Sequence, residues 1–211
     1  MGSTQDCIFQ GKLDIQSLRA ITGQIETQLA IFVEDPFAKV WIEAMLRQAG
    51  GLAMDHIQIH TMEGDRTAVA MNVYHNKDPS TKVQSICFID GDSKQTESAE
   101  KHIYRLPGES PEAYVFDEVI SSWDAYGGKL AVALLQRYEH TPHVKQVCDD
   151  VRLTNMDPHL LFARVGERLG LLPEATVVAA FANIWAQAHQ DVLENVLAPI
   201  KSMLLLEKKV A

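Results

Sequence analysis

Apolar positions fall in two regimes along this chain. In the first half, short, largely apolar runs alternate with amphipathic stretches; in the second, apolar residues recur only at helical spacing. The two strongest runs are Leu-Ala-Ile-Phe-Val at 29–33 and Val-Gln-Ser-Ile-Cys-Phe-Ile at 83–89. The first stops at Glu34 and Asp35, the second at Asp90 and Asp92. Parallel strands covered on both faces read as continuous apolar runs of this length, and α/β sheets take their ligands just beyond strand C-terminal ends.

The remaining elements follow from the same pattern. Pro36 suits a first helical turn, and Phe37, Val40, Trp41, Ala44, Met45 and Leu46 continue at helical spacing until Gly50-Gly51. Residues 57–60 and 102–106 read as shorter strands, 65–74 as a helix, 76–80 as a loop and 93–101 as polar surface. Ser110, Pro111 and Glu112 form a helix start of cap, proline and first-turn acid. Helical patterns then occupy 129–138, 144–151, 159–169, 174–194 and 196–208, with breaks expected at Gly127-Gly128, Thr141-Pro142, Asp157-Pro158 and residues 170–173. The predicted fold is α/β, a mostly parallel Rossmann-like sheet flanked by helices, followed by an α-helical subdomain. Its divisions are a lead-in at 1–27 with an edge strand near 12–19, an α/β domain at 28–125 and a helical part at 126–211.

Charge and cysteine usage narrow the function classes. A formal charge of −9 over 211 residues argues against a broad basic surface for nucleic acid, without excluding nucleic acid as a substrate. Part of that charge belongs to candidate metal-site carboxylates, which bound cations would offset. The opening residues are polar, and no apolar run approaches the roughly 20 residues that span a bilayer. Cys7, Cys87 and Cys148 are odd in number and widely spaced, with Cys87 expected buried in its strand. A soluble, reduced, cytoplasmic protein is the expectation.

The acids are the candidate chemistry. Phosphodiester hydrolysis needs divalent ions, often a pair about 3.5–4 Å apart, to bind non-bridging oxygens, activate water and stabilise the leaving oxygen. Asp-x-Asp at a strand end sends both side chains to one side, and a Glu on the adjacent strand can share the site. Asp90-Gly91-Asp92 is also good turn chemistry, so taken alone it is a weak signal. Two such endings in α/β order strengthen the metal reading.

These residues resemble a known signature. Phe32-Val33-Glu34-Asp35-Pro36, a helix, and then Cys87-Phe88-Ile89-Asp90-Gly91-Asp92 look like the Toprim fold's strand-Glu and strand-DxD motifs. Leu106-Pro107-Gly108 followed by Ser110-Pro111-Glu112 is similar to the Toprim segment of the overcoming-lysogenization-defect (OLD) family nucleases, in which an ATPase domain precedes Toprim. The resemblance covers about residues 28–125 well and the rest loosely. It implies a Mg²⁺- or Mn²⁺-dependent DNA endonuclease with Glu34 as metal ligand and acid/base and Asp90 and Asp92 as ligands. The ATPase would not be in this chain, since no GxxxxGK[ST] or GxGxxG occurs. Relatives often carry Gly after the Glu and an acid four positions beyond it; here those positions are Asp35 and Ala38, so either Asp35 is the substitute ligand, the favoured reading, or one metal is held more weakly. Glu112 is an outer ligand or simply a helix-start acid, and Glu109 lies beside it. A late lysine that steadies transition-state charge would be Lys201, with Lys129 and Lys145 as rivals.

Other readings remain open at this point. Ser93 and Lys94 could touch phosphate or sit in a plain loop, and Trp185 with His189 would face the helical core or its rim. The eight histidines show no structural zinc spacing. Rivals to the nuclease are another Toprim enzyme of topoisomerase or primase type, a non-catalytic Mg²⁺-binding α/β module, and a degenerate Toprim, for which Ala38 speaks, that forms a homodimer through its helical half.

Overall fold

The computed structural model describes residues 27–50 and 54–207. The expected lead-in strand at 12–19, Cys7 and the end of the last helix lie outside them. Among the described residues four strands form the sheet: β1 (Leu29–Val33), β2 (Ile57–Thr61), β3 (Gln84–Ile89) and β4 (Ile103–Arg105). Their order is β2-β1-β3-β4, and every neighbouring pair is parallel. Helix α1 (Pro36–Ala49) follows β1, α2 (Asp65–Lys77) follows β2, and α3 (Pro111–Ser121) follows β4. The chain then continues as α4 (Trp123–Ala133), α5 (Thr141–Thr154), α6 (Leu161–Arg168), α7 (Glu174–Ala188) and α8 (Gln190–Glu207). The chain is thus an α/β protein with a parallel sheet and a helical region. No helix among the described residues is long and apolar enough to cross a membrane.

The alternation of side chains along the two central strands explains their largely apolar runs. Leu29, Ile31, Val33, Ile86 and Phe88 face a large core shared with α1 and the helical region, while Ala30, Phe32, Cys87, Ile89 and Ile103 face α2. Within the large core Trp41 of α1 meets Trp185 of α7 edge-on at 4.8 Å, and Phe116 stacks on Phe181 at 5.0 Å. Buried residues run without interruption from the sheet through α1 into α7. Burial holds Cys87 and Cys148 as thiols by pushing each up to about 12.

On the other face a small polar network docks α2. Fully buried Asn72 donates Nδ2 to the Lys101 carbonyl at 2.8 Å and accepts the Ser85 hydroxyl at 2.7 Å. Asn76 exchanges hydrogen bonds with the Ser85 backbone, taking its amide at 2.8 Å and giving to its carbonyl at 2.9 Å. β4 is too short to reach this end of β3, so the asparagines complete the ladder there.

The helical boundaries differ from expectation in three places. Gly127-Gly128 does not break the chain but lies inside α4, so the expected division at 125/126 falls within a helix. A Cβ on Gly127 would come within 2.5 Å of the Trp123 ring, and one on Gly128 within 2.2 Å of the Tyr138 ring. The glycines are there to admit aromatic rings, not to end a helix. The single helix expected over 174–194 is instead two, parted at His189 between α7 and α8, and α4 stops at Ala133 rather than running to 138.

Candidate functional site

Strand order decides where a site can form. From β1 the chain moves outward to β2, then returns to the opposite side of β1 for β3 and continues to β4. The adjacent β1 and β3 therefore send their following segments in opposite directions, leaving a crevice beyond their C-terminal ends. Val33 pairs with Phe88, so Glu34 comes one residue past the pair on β1 and Asp90 two residues past it on β3. The two acid-ended runs meet at this switch point.

The other two strands deliver acids to the same edge. β2 runs through Met62, whose amide bonds the Val33 carbonyl, into Asp65 at the start of α2. β4 runs through Leu106, whose amide bonds the Ile89 carbonyl, into Glu112 in the first turn of α3. The carboxylates feel one another across this edge. Burial raises the Glu34 pKa first, and the charges of Asp65, Asp35, Asp92 and Glu112 add to it. Asp90 is pushed up to about 8, by burial first and then by Asp35, Glu34, Glu112 and Asp92. Its side chain belongs to a residue only 8% exposed, and its Oδ1 has no hydrogen-bond partner.

Each sequence-derived candidate now has a place. Asp35 is the N-cap of α1: its Oδ1 accepts the Ala38 amide at 2.8 Å. One of its oxygens is thus committed to the helix, although burial still raises its pKa. Ala38 is wholly buried and supplies that amide. Glu112, 4% exposed, holds His159 Nδ1 against its Oε1 at 2.7 Å and receives the Ser110 hydroxyl on Oε2 at 3.4 Å. Ser110 therefore sits at the cap position of α3 without capping it by its side chain. Lys201 is ion-paired with Glu194 on its own helix, Lys145 with Asp149 at 2.6 Å, and Lys129 hydrogen-bonds Gln187 at 3.4 Å. Each of these lysines is engaged within the helical region rather than with the strand-end acids. Ser93 contributes, through Asp65, whose Oδ2 accepts its hydroxyl at 2.6 Å.

Three residues at the site carried no assigned role in the sequence. Asp65 was legible only as a helix-start acid, and the third strand-end acid in a row was the available signal. His159 comes from the helical region, 47 positions from its partner Glu112, and left no signal. Arg105 is the clamp of the Asp90-Gly91-Asp92 loop. Its Nη1 donates to the carbonyls of Asp90 at 2.7 Å, Gly91 at 2.8 Å and Ser93 at 3.1 Å, and its Nη2 to that of Gln95 at 2.8 Å. One guanidinium thereby fixes the backbone that aims both aspartates. Arg105→Met keeps the stem and deletes these donors, leaving the carbonyls unpaired. The expected cost is about 3 kcal/mol by urea unfolding.

As the side chains stand, no group of three or more His, Cys, Asp or Glu among the described residues forms a ready ligand set for a metal ion. The chemistry of the edge nevertheless fits a hard cation. It is all carboxylate oxygen, it contains a buried oxygen without a partner, and its charges oppose one another until something positive joins them. Mg²⁺ keeps several waters and needs one or two carboxylates, so a closed cage of three is not a requirement. No family model matches this chain, and neither a curated protein nor a solved structure matches it.

Proposed function

We propose that this chain is a metal-dependent DNA endonuclease of Toprim type, like the catalytic region of OLD-family proteins. The single observation that carries the reading is the buried, unpartnered Asp90 Oδ1 at the sheet's switch point, whose charge is opposed by those of four other acids. Asp90, Asp92 and Glu34 would hold Mg²⁺ or Mn²⁺, with Asp65 and Glu112 beside them. When bound, such an ion supplies Lewis-acid polarisation of the phosphoryl group and a water nucleophilic at neutral pH.

The chain's own residues do the rest. Glu34, with its pKa raised by burial and neighbouring acids, is suited to accept a proton from the attacking water. Asp35 holds the start of α1 and so fixes the backbone from which Glu34 projects. Arg105 holds the loop that presents Asp90 and Asp92. Neutralisation of phosphoryl charge by Lys201 rests on the resemblance alone, because its ammonium is paired with Glu194. An ATPase acting from outside this chain, a cytoplasmic setting and a homodimer belong to the same reading.

Supercoiled plasmid incubated with Mg²⁺ or Mn²⁺ tests it. The parent is expected to give nicked and then linear DNA, and Glu34→Gln and Asp90→Ala to match the protein-free control. Asp90→Ala nicking as fast as the parent would sink the proposal. Relaxed circles without nicks would favour a topoisomerase, and Mn²⁺ binding without any cleavage a cation-binding module.

A further inference from the structure

A second concavity adjoins the acid edge, a cleft of about 340 Å³ between α1, α6 and the start of α7. This is within the range of small-molecule sites, roughly 300–1,000 Å³. Its floor is apolar: Phe37, Val40, Phe162 and Val178, with the Phe37 and Phe162 rings stacked at 5.4 Å. Its rim is acidic, formed by Asp35, Glu112 and Glu174, with the exposed imidazole of His159 anchored to Glu112 at 2.7 Å. Asp35 and Glu112 belong to both places, since their charges also act on Asp90. The α/β half contributes one wall and the helical region the other.

We infer that this cleft seats a nucleobase of a single-stranded or locally opened strand, one that neighbours the phosphate at the acid edge. The inference rests on the nuclease reading for the identity of the ligand and adds the part of the substrate that the helical region would contact. Three features select a base. An apolar floor with an exposed aromatic ring at the rim suits a flat, uncharged π-system. Three carboxylates repel a phosphate from the cleft itself, so the backbone must lie outside it, toward the edge where a cation would sit. Carboxylate oxygens only accept hydrogen bonds, which matches the exocyclic amino groups of adenine, cytosine and guanine.

Binding of labelled single-stranded oligonucleotides to the full chain, in Ca²⁺ and followed by anisotropy, reads this directly. One nucleotide at a time is made abasic, and Mn²⁺ affinity is measured alongside. Loss of the seated base is expected to weaken binding about tenfold at a single position. Ala175→Trp fills the cleft from an exposed first-turn position of α7; it should bind all abasic variants alike and keep the parent's Mn²⁺ affinity. Ala175→Ser, which leaves the space open, should retain the parent's abasic profile. A flat abasic scan in the parent, an unchanged profile in Ala175→Trp, or competition by spermidine with no abasic dependence would overturn the proposal. Cleavage with a flat scan would leave the nuclease and remove the base seat; a peaked scan without cleavage would do the reverse.

Discussion

Asp90→Asn is expected to stabilise the metal-free protein at alkaline pH while abolishing cation binding and cleavage. Unfolded, this carboxyl releases its proton near its ordinary value of 3.8; folded, it holds the proton until about 8. Between those values the native state carries one proton more than the unfolded state. Stability of the metal-free parent therefore falls as pH rises through this window, is fully present below it, and levels off above about 8. The cause is burial of a charge among like charges, so an amide, neutral at every pH, removes it. Thermal melts of the metal-free proteins from about pH 5 to about pH 8.5 should show the parent losing roughly 5–10 °C more than Asp90→Asn. Mn²⁺ should reverse the trend for the parent, because it binds ionised carboxylates, and should leave the melting point of Asp90→Asn unmoved. Parallel pH profiles for the two metal-free proteins would contradict this account of the edge.

Gly91→Ala should be the most damaging single methyl group at the site. A Cβ on Gly91 would lie 1.4 Å from the Gly108 carbonyl oxygen and 2.9 Å from the Glu109 Cα, both backbone atoms. No rotamer change relieves such an overlap; the 90–92 loop and the 107–109 loop would have to separate. Separation would pull Asp90 from its buried position and break the Arg105 bonds to the Asp90 and Gly91 carbonyls. A cost of about 3 kcal/mol in urea unfolding is expected, with cleavage lost even where the protein stays folded. Ser93→Ala is the contrast: it removes one hydroxyl bond to Asp65 and should cost about 1 kcal/mol. Equal stability of Gly91→Ala and the parent would mean that the two loops are not in contact.

The Gly91–Gly108 contact also shows how the motif and the fold divide the work. Asp-Gly-Asp and Leu-Pro-Gly read from the sequence as two separate turns. Gly108 adopts φ +79°, as a turn glycine does, and a Cβ there would also meet the Tyr114 side chain at 2.4 Å. Gly91 has a different reason to be glycine: the other turn lies directly against it. Turn chemistry was visible locally, but the contact between the turns was not.

Much of the molecule was fixed by short-range pattern. The apolar runs at 29–33 and 83–89 read as two-sided strands, Pro36 suited a first helical turn, and acids at both strand ends could be named by number. These features depend on side-chain period and backbone preference, which act over a few residues. Tertiary structure decided the rest. The order β2-β1-β3-β4 turned two acid-ended strands into one crevice, and brought in Asp65 and Glu112 from the other two. It made Gly128 a seat for the Tyr138 ring and Arg105 the brace of the aspartate loop. It also carried His159 across 47 residues to Glu112 and so joined the helical region to the acid edge. Contacts of that separation depend on which faces of the sheet and helices are buried together, a property of the whole core that no local window of sequence contains.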